Sequence, residues 1–207
     1  MKKSIALLCV VVALAGTLFY RTTLQQREVV ILSTNDMHAN IENFASLATA
    51  VNLCRDTVAT LLVDAGDRWT GNVFVDLAEG RLPIIDLMNH IGYNAAALGN
   101  HEFDKGAALL QGAISHANFP ILCANMQSGR QDMATPSAAV TLKSKNGVRF
   151  RIAGVVTNFD GGHPEGSNEV YEGLTFSHPF EAATEALAAA KRGEIRLLLS
   201  HMGDDKD

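Results

Sequence analysis

Four short polar strings each follow an apolar run: Asp36-Met37-His38, Asp64-Ala65-Gly66-Asp67, Gly99-Asn100-His101-Glu102 and Ser200-His201-Met202-Gly203. Their side chains offer carboxylate and amide oxygens and imidazole nitrogens. An Asp-x-His spacing lets a carboxylate and an imidazole approach one cation from a single tight loop. A carboxylate has two oxygens, so Asp67 could bridge two cations. Mixed Asp, Asn and His donors suit Mn, Fe, Co or Zn better than Ca, which prefers oxygen alone. The lack of thiolate donors in these strings argues against a structural zinc site. Asp64 reads as a residue that holds its loop, not as a ligand.

Such donors must be carried to one place, and the pattern around them shows how. Val29 to Leu32, Thr60 to Val63, Ala95 to Leu98 and Pro120 to Ala124 are short apolar runs that predict buried strands. Helices are predicted over Ile41 to Arg55, Asn72 to Ala78, Leu82 to Ile91 with Pro83 in its first turn, and Lys105 to Ala117. Strand-helix alternation implies parallel strands covered by helices. In open α/β sheets ligands bind beyond the carboxyl ends of the strands, where the polar strings lie. The pattern then changes. Ala138 to Lys143 and Val148 to Val156 flank Lys145-Asn146-Gly147, a strong hairpin signal. This makes the sheet mixed or starts a second sheet packed on the first. Residues 158–176 read as a loop bordering the site. Pro179 to Arg192 predicts a helix with Glu181 and Glu185 near its start, Lys191 and Arg192 near its end and Gly193 as its stop. Ile195 to Leu199 is the last strand. The fold class is therefore α/β, a mixed β-sheet sandwich flanked by helices.

The chain has 207 residues, 47% hydrophobic and 19% charged, which suits one globular domain. A formal charge of −5 argues against nucleic acid as a partner. Lys2 and Lys3 precede an apolar run from Ile5 to Ala15, and Ala13-Leu14-Ala15 offers a small-x-small cleavage site. Residues 1–20 thus read as a secretory signal peptide, with an uncleaved anchor as the alternative and membrane attachment only in that case. Export to the periplasm or the extracellular space follows. Cys54 and Cys123 lack Cys-x-x-Cys spacing and read as free thiols. His90, His116, His163 and His178 match no ligand pattern. Trp69 could stack on a substrate or pack in the interior.

Ser33-Thr34-Asn35-Asp36-Met37-His38, Asp64-Ala65-Gly66-Asp67, Gly92-Tyr93-Asn94-Ala95, Leu98-Gly99-Asn100-His101-Glu102-Phe103-Asp104 and Ser200-His201-Met202-Gly203 occur in this order. Together they resemble the 5′-nucleotidase branch of the calcineurin-like metallophosphoesterases, over residues 28–207. The resemblance implies two divalent ions drawn from Mn, Zn, Fe, Co and Mg. Asp36 and His38 would bind the first, Asp67 would bridge both, and Asn100 and His201 would bind the second. It implies His101 as the catalytic histidine with Asp104 as its orienting carboxylate. It implies hydrolysis of small phosphate esters, nucleotides first among them, by a hydroxide held between the ions.

The family also carries a later Gly-His-x-His motif and a C-terminal domain that holds the nucleotide base between aromatic rings. Neither occurs before Asp207. The expectation is a partial catalytic domain, 28–207, from a longer protein. The alternatives are a weakly active or inactive metal-binding module of the same fold, or a relative acting on nucleotide-sugars, cyclic nucleotides or thiosulfonate esters.

Overall fold

The apolar runs pair as a four-stranded parallel sheet: β1 (Val29–Thr34), β2 (Ala59–Asp64), β3 (Ala95–Ala97) and β4 (Ile121–Leu122), side by side in chain order. These and all elements below come from a computed structural model that describes residues 27–159 and 162–203. The proposed export segment lies outside the described residues. Among those described, no helix is long and apolar enough to cross a membrane.

Helices α1 (Phe44–Thr57), α3 (Leu82–Ile91) and α4 (Ala107–His116) cover one face of this sheet. Phe44 and Val51 of α1, Ile84, Ile85 and Met88 of α3, and Leu110 of α4 meet Leu62 and Ala96 of the sheet there. Pro83 sits in the first turn of α3 as its sequence position predicts, and Gly92 ends the helix in the left-handed conformation. The opposite face, with Leu61, Val63, Ala95, Ala97 and Leu122, packs on Phe150, Ile152 and Leu199 of a second sheet. That sheet has the order β6 (Ala139–Lys143), β7 (Arg149–Val156), β9 (Glu194–His201). β6 and β7 are antiparallel, whereas β7 and β9 are parallel. Helix α5 (Pro179–Ala188) covers its outer face, with Ala183 against Val155 and Met202. The result is an α/β/β/α sandwich, the fold class read from the sequence. β3 is all alanine and fully buried, which keeps the inner layer thin. At Gly154 a Cβ would stand 2.6 Å from the Leu122 carbonyl, so the two sheets need glycine to approach there.

The hairpin forms where Asn146-Gly147 predicts it, closed by Ser144 N to Val148 O at 2.8 Å. Three expectations change. The helix placed over Asn72 to Ala78 is a single turn, α2 (Val73–Asp76), because Ala78 turns extended at its end, and Gly80 and Arg81 then take positive φ. α5 stops at Ala188, so Lys191 and Arg192 lie past its end, and Glu194 N folds back to Lys191 O at 3.0 Å. The 158–176 segment is not all loop. It holds a 3₁₀ turn, Asn168–Tyr171, and β8 (Leu174–Phe176), which pairs antiparallel with β5 (Met126–Ser128). Three-residue strands are too short to show a period of two. Cys54 and Cys123 are both free thiols.

Candidate metal centre

Thr34 of β1 and Asp64 of β2 are register partners, so their loops leave the sheet at one level. The two loops continue side by side: Ala65 N donates to Thr34 O at 2.8 Å, Asp36 N to Gly66 O at 3.1 Å, His38 N to Asp67 O at 3.0 Å and Ala39 N to Arg68 O at 2.8 Å. This pairing is bent sharply. Asp36, His38, Ala39, Asp67 and Thr70 all have φ between 44 and 64°. Non-glycine residues held there cost roughly 1–3 kcal/mol each and cluster at functional sites.

Glu102 ties the third loop to the second. It is buried, and its carboxylate accepts N–H bonds from Gly99 at 2.6 Å, Arg68 at 2.9 Å and Asp67 at 3.0 Å. The buried Arg68 guanidinium faces both Glu102, at 3.7 Å, and Asp64, at 3.1 Å, and bonds the Ala97 carbonyl. A Cβ at Gly99 would overlap Asp67, and one at Gly66 would lie 2.7 Å from Gly99 N and 2.9 Å from His201 Nδ1. The loops therefore touch through glycine backbone.

Asp64 holds its loop, as its sequence position suggests, accepting from Thr34 Oγ1 at 2.8 Å, Arg68 Nε at 3.1 Å and Gly66 N at 3.2 Å. Burial pushes its pKa up from 3.8 to about 6, against the opposing pull of Arg68. The native state thus holds this proton more tightly than the unfolded chain. Its contribution becomes more favourable to folding as pH falls from 6 towards 3.8, and is least favourable above 6. The unfolding free energy of the native sequence, relative to Asp64→Asn, is expected to rise between pH 7 and pH 4. The scale is about 1.4 kcal/mol for each pKa unit. Urea melts of the two proteins at both pH values check this, and a difference that shrinks with acid refutes it.

On this scaffold the donor atoms converge in two groups. Those of His38, Asp67 and His101 lie within 4.8 Å of one another, and so do those of Asp36, Asp67 and His201. Asp67 belongs to both. Its Oδ1 accepts from His101 N at 2.9 Å, and its Oδ2 meets His201 Nε2 at 3.2 Å. Burial raises its pKa, but the hydrogen bond and charge of His201 outweigh that and hold the carboxyl below the usual range. His201 Nδ1 faces the Ala65 carbonyl at 3.1 Å, so β9 is anchored to the β2 loop. His101 Nδ1 meets Asp104 Oδ2 at 2.9 Å, and its ring stands edge-on to that of His38 with centroids 5.0 Å apart. Burial lowers the His101 pKa; the Asp104 bond and the charges of Asp67 and Asp104 overcome this and raise it above 6.5. Asn100 lies between Gly99, whose N–H bonds the Glu102 carboxylate, and His101, whose N–H bonds Asp67 on the facing loop.

No protein-family model matches the chain. The protein UshA of Yersinia enterocolitica is 32% identical over 197 residues, covering 87% of this chain and 35% of that protein. The 5′-nucleotidase precursor of Thermus thermophilus superposes with a TM-score of 0.74 at 25% identity, covering 86% of this chain and 38% of its own. The calcineurin-like phosphoesterase YfkN of Bacillus subtilis does so with a TM-score of 0.63 at 29% identity, covering 86% of this chain and 63% of its own. The chain belongs to the 5′-nucleotidase branch of the calcineurin-like phosphoesterases. It spans between a fifth and about a third of the length of curated relatives it matches.

The structure brings Asp36, His38, Asp67, His101, Asp104 and His201 to one rim. The grouping differs in one respect from that implied by the sequence resemblance. Asp36 gathers with His201 around Asp67, while His38 gathers with His101. The two side chains of Asp36 and His38 still approach each other, His38 Nε2 lying 3.6 Å from Asp36 Oδ1. Trp69 is 1% exposed and packs in the interior, which excludes it as an exposed stacking surface. The sequence reading assigned no role to Glu102, Arg68, Thr70 or Arg81. Glu102 stands in the Gly99-Asn100-His101-Glu102 string, but nothing in a sequence marks a carboxylate that accepts backbone N–H groups.

Proposed function

We propose that this chain is the catalytic domain of an exported phosphoesterase that uses two divalent ions to hydrolyse small phosphate esters, nucleotides above all. The observation that carries the reading is the Asp67 carboxylate shared between two groups of nitrogen and oxygen donors. The donor set fits first-row divalent ions. The family resemblance assigns Asp36 and His38 to one ion, which the 3.6 Å approach of His38 Nε2 to Asp36 Oδ1 allows, Asn100 and His201 to the other, and Asp67 to both. When bound, such a pair supplies positive charge to the phosphoryl oxygens and acidifies water. The nucleotide preference draws on the relatives named for it.

The chain's own residues supply the rest. His101, with Nδ1 turned to Asp104, keeps its other nitrogen for the substrate. The Asp104 hydrogen bond orients the ring, so His101 can place a proton on the departing oxygen. His101→Gln is expected to lower kcat about 10²–10⁴-fold, the range for loss of a general acid. The loss is expected to be larger for alkyl phosphates, whose leaving oxygen needs the proton, than for para-nitrophenyl phosphate.

The deciding experiment measures bound Mn or Zn per chain by native mass spectrometry beside hydrolysis of adenosine monophosphate, a nucleotide-sugar, a cyclic nucleotide and para-nitrophenyl phosphate. Two ions per chain with turnover that needs Asp67 supports the proposal. A folded chain that binds metal and turns over none of these is a metal-binding module instead. Secretion of a fusion carrying residues 1–27 tests export.

A further inference from the structure

Behind His101 the hydrogen bonding does not stop at Asp104. Asp104 Oδ2, the oxygen that meets His101 Nδ1, also accepts the Thr70 hydroxyl at 2.6 Å. The same hydroxyl accepts from Arg81 Nη1 at 3.1 Å. Arg81 is 4% exposed, and its Nη2 pairs with Asp76 Oδ1 at 3.1 Å. Asp76 in turn accepts from Gly71 N at 3.1 Å through its second oxygen. A buried guanidinium thus feeds one end of a hydrogen-bonded chain whose other end is the His101 ring.

Two further observations set this chain apart from ordinary packing. Thr70 has φ 64°, and a β-branched residue there is a genuine outlier. Arg81 also sits in the left-handed region, at φ 52°. Strain of this kind persists only where the surroundings enforce it. In addition, the Thr70 carbonyl faces His38 Nδ1 at 3.1 Å. One strained residue therefore fixes both imidazoles, His38 through its backbone and His101 through its hydroxyl and Asp104.

We propose that Thr70, driven by Arg81, is a positioning residue for His101. This rests on the reading of His101 as proton donor to the leaving oxygen. Arg81 donates to Thr70, and Thr70 donates to Asp104. These two bonds run in series, so the first polarises the second, and Asp104 Oδ2 accepts from Thr70 on one side and from His101 on the other. The Thr70 proton occupies one lone pair of Asp104 Oδ2 and fixes the carboxylate's plane. The remaining lone pair then takes the His101 Nδ1–H, which sets the tautomer and the angle of the ring.

Thr70→Val keeps the β-branch and the carbonyl that meets His38, and removes only the hydroxyl. With the manganese-loaded full chain, Thr70→Val is expected to lower kcat for an alkyl phosphate about tenfold, the effect of one charge-assisted hydrogen bond. KM is expected to stay nearly constant, and para-nitrophenyl phosphate to lose much less. Thr70→Ser restores the hydroxyl and most of the rate, and Arg81→Lys gives an intermediate loss. In the metal-free protein, the downfield Nδ1–H proton resonance of His101 is expected to move upfield in Thr70→Val and to return in Thr70→Ser. An unmoved resonance, or a loss equal for all leaving groups and not rescued by serine, overturns the proposal. His101→Gln run in parallel separates the two readings. If its loss does not depend on the leaving group, His101 is not the donor, and the resonance in Thr70→Val alone decides the relay.

Discussion

Asp67→Asn is expected to lower kcat/KM by at least about 10⁴-fold and to reduce the metal bound per chain. The size follows from what the substitution removes. Two positive ions held close together need a shared negative group between them, and the charge stabilisation they give is worth several kcal/mol. Each 1.36 kcal/mol is about a factor of ten in rate. Asparagine keeps the shape and an oxygen for the His101 N–H bond, so the rim is expected to stay folded. What goes is one of the two oxygens and a charge that is present at any working pH, since His201 holds the Asp67 carboxyl below its usual range. His201 also loses the ion pair at 3.2 Å that orients its ring. Hydrolysis of para-nitrophenyl phosphate at saturating Mn, with native mass spectrometry on the same sample, reads both effects. Activity within tenfold of the native chain, with metal content unchanged, would remove Asp67 from the centre of the site.

Asp67 is legible in the sequence because four polar strings end four apolar runs, three of them neighbours in one parallel sheet and the fourth on β9 of the sheet packed against it. The order of layers was legible for the same reason: Leu61 and Leu62 point to opposite faces of β2, and both faces are buried. The supports of the site were not legible. Glu102 acts on backbone groups 34 and 35 residues away in the chain, which no local period records. Thr70 and Arg81 meet across a segment in which α2 ends after one turn at the extended Ala78 and Gly80 and Arg81 take left-handed conformations. Left-handed backbone at arginine has no signal of its own in a sequence. The short pair β5 and β8 was missed because its strands gain their partners from tertiary packing, not from patterning.

Glu102 is where that hidden scaffold is most exposed to a test. Glu102→Ala is expected to destabilise the fold by about 3–5 kcal/mol, the range for removing one partner of a buried pair. Three buried N–H groups lose their acceptor at once, and Arg68 keeps the Ala97 carbonyl and a single paired carboxylate, Asp64, which burial already disfavours as an anion. Glu102→Gln is expected to recover only part of this. The amide has a single oxygen, while Arg68 N addresses Oε1 and both Asp67 N and Gly99 N address Oε2. Whichever way it turns, its NH₂ faces an N–H donor. For a chain of this size a loss of that order lowers the melting temperature by roughly 10 °C. The rim is expected to fail before the sheets do, because Glu102 is what holds the Gly99 loop against the Asp67 loop. Hydrogen exchange then shows amides 65–71 and 99–104 opening ahead of β2 and β7. If both variants melt within about 1 °C of the native chain and these amides stay protected, the carboxylate is not the clamp its three bonds describe.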